Sequence, residues 1–406
     1  MESSTAISAS QFYCSPTFWW RRLRRITTSG NYIPEIDGLR FVAIMWVVLH
    51  HMDDLLSSGN KLFSTDGRLE SWIYFYAIKG AYGVPFFFMI SGFVLALPFI
   101  NAALHDGPKV SLKNYYLRRV TRLEPPYFVA LIFFFTLAHF LHPDIAPTMA
   151  HALAGLVYSH NTWFVHYNTI DLSFWSLEIE VRFYIIVPLL VLVFRLSQWK
   201  RYAVLFGAIV LADLFSIDNI ECLSRYRFTF FNYAQYFLLG FFLAELYLAG
   251  ACKATKRYGI LWDCIGIACV AVFGLLFVPE SLYHWQHKLS PFFMFLFFLS
   301  AFKGLFLRKL LTFPAITTIG GMCYSIYLVH QPLMTLVLHL HGRLISEPLA
   351  KNYFESCLMG TALIILPTLI IATVFYLLIE QPCMDKQWPI KLWNGAKSLF
   401  SKRPHS

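Results

Sequence analysis

Long apolar runs separated by short polar ones set the pattern of this chain. A membrane-spanning helix needs about 20 mostly apolar residues. Runs of that kind recur at 41–58, 84–101, 125–141, 178–196, 202–217, 229–250, 259–278, 291–307, 314–339 and 357–379. They predict an all-α polytopic membrane protein of about ten transmembrane helices. Two stretches fit less well. Residues 72–83 are aromatic but broken by glycines and Lys79, and residues 147–173 are apolar without the length of a span. Interfacial or re-entrant paths are expected for both, because irregular backbone at membrane depth must be buried in protein or line a cavity.

Most of the 33 lysines and arginines fall in alternate loops between these runs. Cytoplasmic loops carry such an excess, so both termini are expected in the cytoplasm. No linker, low-complexity tract or repeat divides the chain. The expected organisation is a cytoplasmic tail over 1–33, one membrane domain over 34–383 and a cytoplasmic tail over 384–406, in the plasma (inner) membrane. The RRLRR run at 21–25 precedes the first span without the order of a cleaved secretory signal, so no processing is expected.

Composition sharpens this picture. Of 406 residues, 57% are hydrophobic and 14% charged, against about 45–50% apolar and roughly 25% charged in soluble domains. The net charge of +10 reads as topology; without an aromatic-interleaved basic module, no nucleic-acid partner is expected. The eight cysteines form no C-x-x-C pair or zinc-type cluster, so neither a metal site nor a disulfide framework is expected.

Against this apolar background, ionisable groups inside the runs stand out, since such groups are costly in lipid and mark functional sites. In RFVAIMWVVLHHMDD, Arg40 opens a helix and His51 lies eleven residues further on. That climb is about 16 Å, half of a hydrocarbon core near 30 Å. Asp37, Asp53 and Asp54 are close in sequence, and a carboxylate beside an imidazole fixes its tautomer. Arg118, Arg119 and Arg122 gather before the third run, where they either anchor topology or grip phosphate with paired donors. In FWSLEIEVRFY, Glu178 and Arg182 are spaced for an i,i+4 pair, which leaves Glu180 without a local partner. Tyr324, Ser325, Tyr327 and His330 lie in one apolar helix that Pro332 ends or kinks; such residues bridge helices or line a cavity.

Taken together, IDGLRFVAIMWVVLHHM (36–52), GVPFFFMISGFVL (83–95), YYLRRVTRLEPPYF (115–128), FWSLEIEVRFYIIVPLL (174–190), CYSIYLVHQPL (323–333) and IEQP (379–382) resemble the acyltransferase 3 family. These are integral membrane acyltransferases that modify carbohydrates and some other hydroxylated acceptors. The six pieces occur in family order over about residues 34–383. The resemblance implies a catalytic role for His51 and acyl-CoA binding by Arg40 with Arg118, Arg119 and Arg122. It places the family's serine on Ser91, its acidic residue on Glu180, and its tyrosine-rich element on Tyr324, Ser325, Tyr327 and His330. Val181 stands where the family usually has a second acid, Arg182 where a glutamine is common, and Glu178 where the family has a small residue. The residues after 383 are too few for an SGNH-type hydrolase domain, so none is expected within the chain.

The expected activity is O-acylation of a carbohydrate or glycolipid acceptor of the cell envelope by cytoplasmic acyl-CoA, acetyl-CoA being the family's usual donor. No bound cofactor is expected. His51 would act as general base and Glu180 as a second catalytic group. Asp37, Ser91, Tyr324, Tyr327 and His330 would line the site. Two other classes fit the same broken helices: a transporter or flippase of an envelope glycan or lipid-linked sugar, and a degenerate acyl-CoA sensor.

Overall fold

The structure is a computed structural model, and it describes residues 23, 25, 32–58, 62–141, 143–165, 167–216, 225–275, 283–344, 349–385 and 387–390. Most of both expected tails, and most of the RRLRR run, lie outside these residues. Among the described residues the secondary structure is entirely helical.

Helix α1 (Pro34–Leu56) opens on a proline at its first position, where the missing N–H costs nothing. A short helix α2 (Trp72–Ala77) runs through a 3-10 turn, Ile78–Tyr82, into α3 (Gly83–Leu104). Next come α4 (Leu112–Leu141), the short α5 (Met149–Leu156) and α6 (His160–Phe164), then α7 (Trp175–Leu190) and α8 (Gln198–Phe215). The second half holds α9 (Ala234–Leu248), α10 (Gly259–Leu275), α11 (Tyr283–Lys303), α12 (Phe306–Leu311), α13 (Pro314–Gly321) and α14 (Cys323–Leu344). Helices α15 (Tyr353–Gly360) and α16 (Leu366–Phe375) are joined and extended by π turns, which lead into α17 (Gln381–Cys383).

Helices occupy all ten apolar runs. Among the described residues, three helices are by length and composition long and apolar enough to cross a membrane: Trp72–Leu104, Leu112–Leu141 and Tyr353–Cys383. A fourth is added if α13 and α14, bent by 70°, count as one broken span. Helix α1 is long enough but carries Glu35, Asp37, Arg40, Asp53 and Asp54, the groups that made it conspicuous in the sequence.

Those charges are affordable because α1 is the central post of the molecule. It packs against α3, α13 and α14, and also touches α11, α12 and α15. Leu39, Ala43, Ile44 and Val48 along it have no exposed surface. The most extensive helix pair is α3 with α9. Gly92 and Gly240 allow it: a Cβ on Gly92 would strike the Phe237 carbonyl, and one on Gly240 would strike the Met89 carbonyl. Backbones at that separation leave no room for a side chain.

The two irregular stretches touch neighbouring helices at particular residues, while Trp72 and Trp163 in them are exposed. Lys79, buried in the 3-10 turn, donates to the carbonyls of Phe273 and Gly274 at 3.3 and 3.4 Å, near the end of α10, a place where cations favour the helix dipole. Residues 147–173 fold into α5, α6 and a 3-10 turn. Tyr127 of α4 stacks on Tyr158 there, with ring centroids 4.5 Å apart, and donates to the Gly155 carbonyl at 2.9 Å.

Candidate active site

Helix α1 carries the candidate groups at two levels. At the start, Asp37 accepts from Arg40 at 2.7 Å and from Arg25 at 3.3 Å. Asp37 is therefore placed with the arginines, fourteen residues before His51. Gly320 of α13 lies against the Asp37 carbonyl, which brings the first turn of α14 to the same place.

There Ser325 donates both its N–H, at 3.0 Å, and its hydroxyl, at 2.5 Å, to the buried carboxylate of Glu380. Arg122 and Arg25 are both within Coulomb range of Glu380. Three guanidiniums, Arg25, Arg40 and Arg122, thus surround two carboxylates, Asp37 and Glu380. The Nε atoms of Arg25 and Arg122 are buried without a hydrogen-bond partner, and a buried donor left unmade costs about 1–3 kcal/mol.

The arginine run does not stay together. Arg118 and Arg122, at i and i+4, share a face of α4 one turn apart, while Arg119 is turned about 100° from Arg118. Arg118 is partly exposed and donates to Asn114 O at 3.0 Å. Arg119 lies over the Tyr115 ring at 4.1 Å and near Tyr184 at 5.7 Å, within reach of Glu180. Only Arg122 points to the Asp37 and Glu380 group.

Between the two levels runs a wall made by α3, α7 and α14. Ser91 of α3 donates to Glu180 at 2.5 Å, and Tyr184, one turn along α7, is hydrogen-bonded to the same carboxylate. Glu180 thus has two hydroxyl partners and remains partly exposed. Its neighbours Glu178 and Arg182 form the pair their spacing predicts, at 3.3 Å. Arg182 also donates to the Phe228 carbonyl at 2.6 Å, which binds that pair to the surrounding loops.

On α14, Tyr324, Tyr327 and His330 follow at steps of three and so share one face. Tyr324 donates to Leu123 O at 2.8 Å. Tyr327 donates to Ser173 O at 2.9 Å and lies 2.6 Å from the Ser176 hydroxyl. Its ring meets Phe87 edge-on at 6.1 Å, one helical turn from Ser91. His330 ends the series, and its ring centroid is 5.2 Å from that of His51.

The adjacent histidines of α1 have different surroundings. His50 Nδ1 lies 3.2 Å from Ala77 O, so His50 is tied to the α2 segment. His51 Nδ1 lies 3.4 Å from Asp54 Oδ2, and its ring faces His330. The two aspartates diverge as well. Asp53 is buried and accepts from Arg68 at 2.7 Å and from Tyr353 at 2.6 Å, locking the 62–71 loop and α15 to the end of α1.

The sequence therefore locates both levels, and the structure brings His51, Tyr327 and His330 to one and Arg40, Asp37 and Arg122 to the other. Ser91 and Glu180 sit on the wall between. Three contributors were missed. Arg25 lies in a basic run that reads as a topology signal, Tyr376 in an apolar run, and Glu380 in the IEQP element, where its isolation in an apolar stretch was the available signal. Tyr376 has a fully buried hydroxyl without a partner. It is within Coulomb range of Glu380, Arg25 and Arg122. Among the described residues, no group of three or more His, Cys, Asp or Glu could hold a metal ion.

Comparison with known proteins follows this geometry. A family model described as an acyltransferase domain, that of acyltransferase 3, matches residues 33–392. The O-acetyltransferase OatA of Staphylococcus aureus (strain NCTC 8325 / PS 47) is 25% identical over 397 residues, covering 90% of this chain and 59% of the relative. The OatA proteins of strains COL and MRSA252 match to the same extent. The chain thus spans less than two thirds of the length of these relatives. No solved structure matches.

Proposed function

The chain belongs to the acyltransferase 3 family, and we propose that it moves an acyl group, acetyl by analogy with its O-acetyltransferase relatives, from acyl-CoA to a hydroxyl of a carbohydrate or glycolipid. In this reading it crosses the plasma membrane about ten times with both termini in the cytoplasm, and residues 34–383 form the catalytic domain. The observation that carries the reading is the arrangement along α1, with unsatisfied arginine donors at one end and two facing imidazoles at the other.

Coenzyme A presents phosphates on a long thin arm. Arg40, Arg122 and Arg25 hold the phosphate end, Arg119 lines the way in, and Arg118 meets the cofactor at the rim. Arg40 and His51 are about 16 Å apart along the helix, a distance suited to carrying a thioester inward. His51 Nε2 is the base, with Nδ1–H turned to Asp54. The acceptor hydroxyl gives its proton to Nε2 while its oxygen attacks the thioester carbonyl carbon. The C–S bond then breaks, and the departing thiolate takes the proton back from His51. General-base help of this kind is worth about 10²–10⁴-fold. Glu180, steadied by Ser91 and Tyr184, orients the acceptor on the wall that Tyr324 and Tyr327 complete.

The test is transfer of labelled acetyl from acetyl-CoA to envelope glycans by the purified protein. Label in the glycan supports the reading. Glycan translocation with the thioester left intact would replace it with a transporter.

A further inference from the structure

His330 has no exposed surface, and its two ring nitrogens differ. Nδ1 lies 2.8 Å from Tyr327 O and 3.2 Å from Ile326 O. Carbonyl oxygens only accept, so Nδ1 carries the proton and Nε2 of the neutral ring is a bare acceptor. That Nε2 is buried and has no hydrogen-bond partner among the described residues. Buried polar groups are nearly always paired, and an exception calls for a partner that the protein does not itself supply.

The neighbouring imidazole has the same polarity. His51 Nδ1 lies 3.4 Å from Asp54 Oδ2, and with the ring proton held toward that carboxylate its Nε2 is a lone pair as well. The two rings lie 5.2 Å apart and are tilted by 43°. Two lone pairs cannot bond to one another, so a ligand that pairs with both rings must bring a donor hydrogen to each. A single isolated hydroxyl satisfies only one ring.

We propose that His330 is the acceptor-recognition residue of the site, and that the acceptor carries two adjacent hydroxyls, one donating to His51 Nε2 and reacting, the other donating to His330 Nε2. This inference rests on the acyltransferase reading and narrows it to a substrate class: sugars or polyols with neighbouring free hydroxyls, rather than lone alcohols. His330 takes no proton in the reaction and acts by positioning. Its backbone anchors keep Nε2 an acceptor throughout, which makes it selective for O–H and N–H donors and against methylated or deoxygenated positions.

The experiment compares kcat/KM of the purified full chain, with acetyl-CoA as donor, for a glycoside with adjacent hydroxyls and for its analogue in which the neighbouring hydroxyl is replaced by hydrogen. The wild type is expected to favour the diol at least about tenfold, since a site built to bond a hydroxyl discriminates strongly against its absence. H330L is expected to collapse that ratio toward one through the acceptor KM, with the acetyl-CoA KM unmoved. H330Q, which keeps an acceptor atom, should recover part of it. Equal wild-type use of both acceptors would overturn the proposal, even if H330L failed to fold. So would a ratio unchanged in H330L, or a shift in the acetyl-CoA KM alone, which would assign Nε2 to the amide groups of the CoA arm. Absence of CoA release with every acceptor would instead remove the acyltransferase reading beneath it.

Discussion

Asp53 and Asp54 are neighbours in the chain with opposite work: one clamps Arg68 and Tyr353, the other leans on His51. A helix turns about 100° between them, and the same rotation separates His50, tied to Ala77, from His51. It also turns Arg119 away from Arg118 and Arg122, which share a face one turn apart. Arg122 alone reaches the group containing Asp37 and Glu380. Arg122→Ala should therefore raise the KM for acetyl-CoA about 10- to 100-fold, the worth of a charge-assisted bond of about 1.5–3 kcal/mol. Arg118→Ala should change it far less. Steady-state kinetics on the two purified variants decide this, and equal effects would contradict the assignment. The ionisable residues of α1 and of the tyrosine-rich helix were legible in the sequence because each is isolated in an apolar run. The link between Asp37, Arg122 and Glu380 was not, because no local spacing joins residues so far apart in the chain.

At the scale of elements, apolar run length was a good guide to helices. Among the described residues each run holds helix, but the 314–339 run, expected as one span, is broken into α13 and α14 with a bend of 70°. What run length does not encode is which helices meet. The α3 and α9 pair depends on Gly92 and Gly240, whose backbones touch the opposite helix. In sequence each is merely a glycine in an apolar run. Gly240→Val should force these helices apart and destabilise the protein by about 1–3 kcal/mol or more. Thermal unfolding in detergent would register this as a lowered midpoint, and an unchanged midpoint would contradict the close approach. Ser91 lies next to Gly92, so the same variant should also loosen the Ser91 to Glu180 bond and reduce turnover.

For the whole molecule, α1 acts as a buried post with a basic end and an imidazole end, and the proposed topology puts the basic end in the cytoplasm. Cysteines introduced at Lys109 and Lys256 should react with a membrane-impermeant maleimide only when the cytoplasmic face is exposed. A cysteine at Lys351 should react on intact cells. Labelling of all three from one side would refute the arrangement of spans. In the proposed topology, such a two-ended site would let a cytoplasmic donor meet an acceptor from the other side without either crossing the membrane.

The most direct test of the account is release of free CoA thiol from acetyl-CoA by the purified protein, with envelope glycans as acceptor, for wild type beside His51→Ala. The account predicts acceptor-dependent release that falls by about 10²–10⁴-fold in the variant while its unfolding midpoint stays that of the wild type. Undiminished release by a folded His51→Ala protein would contradict it.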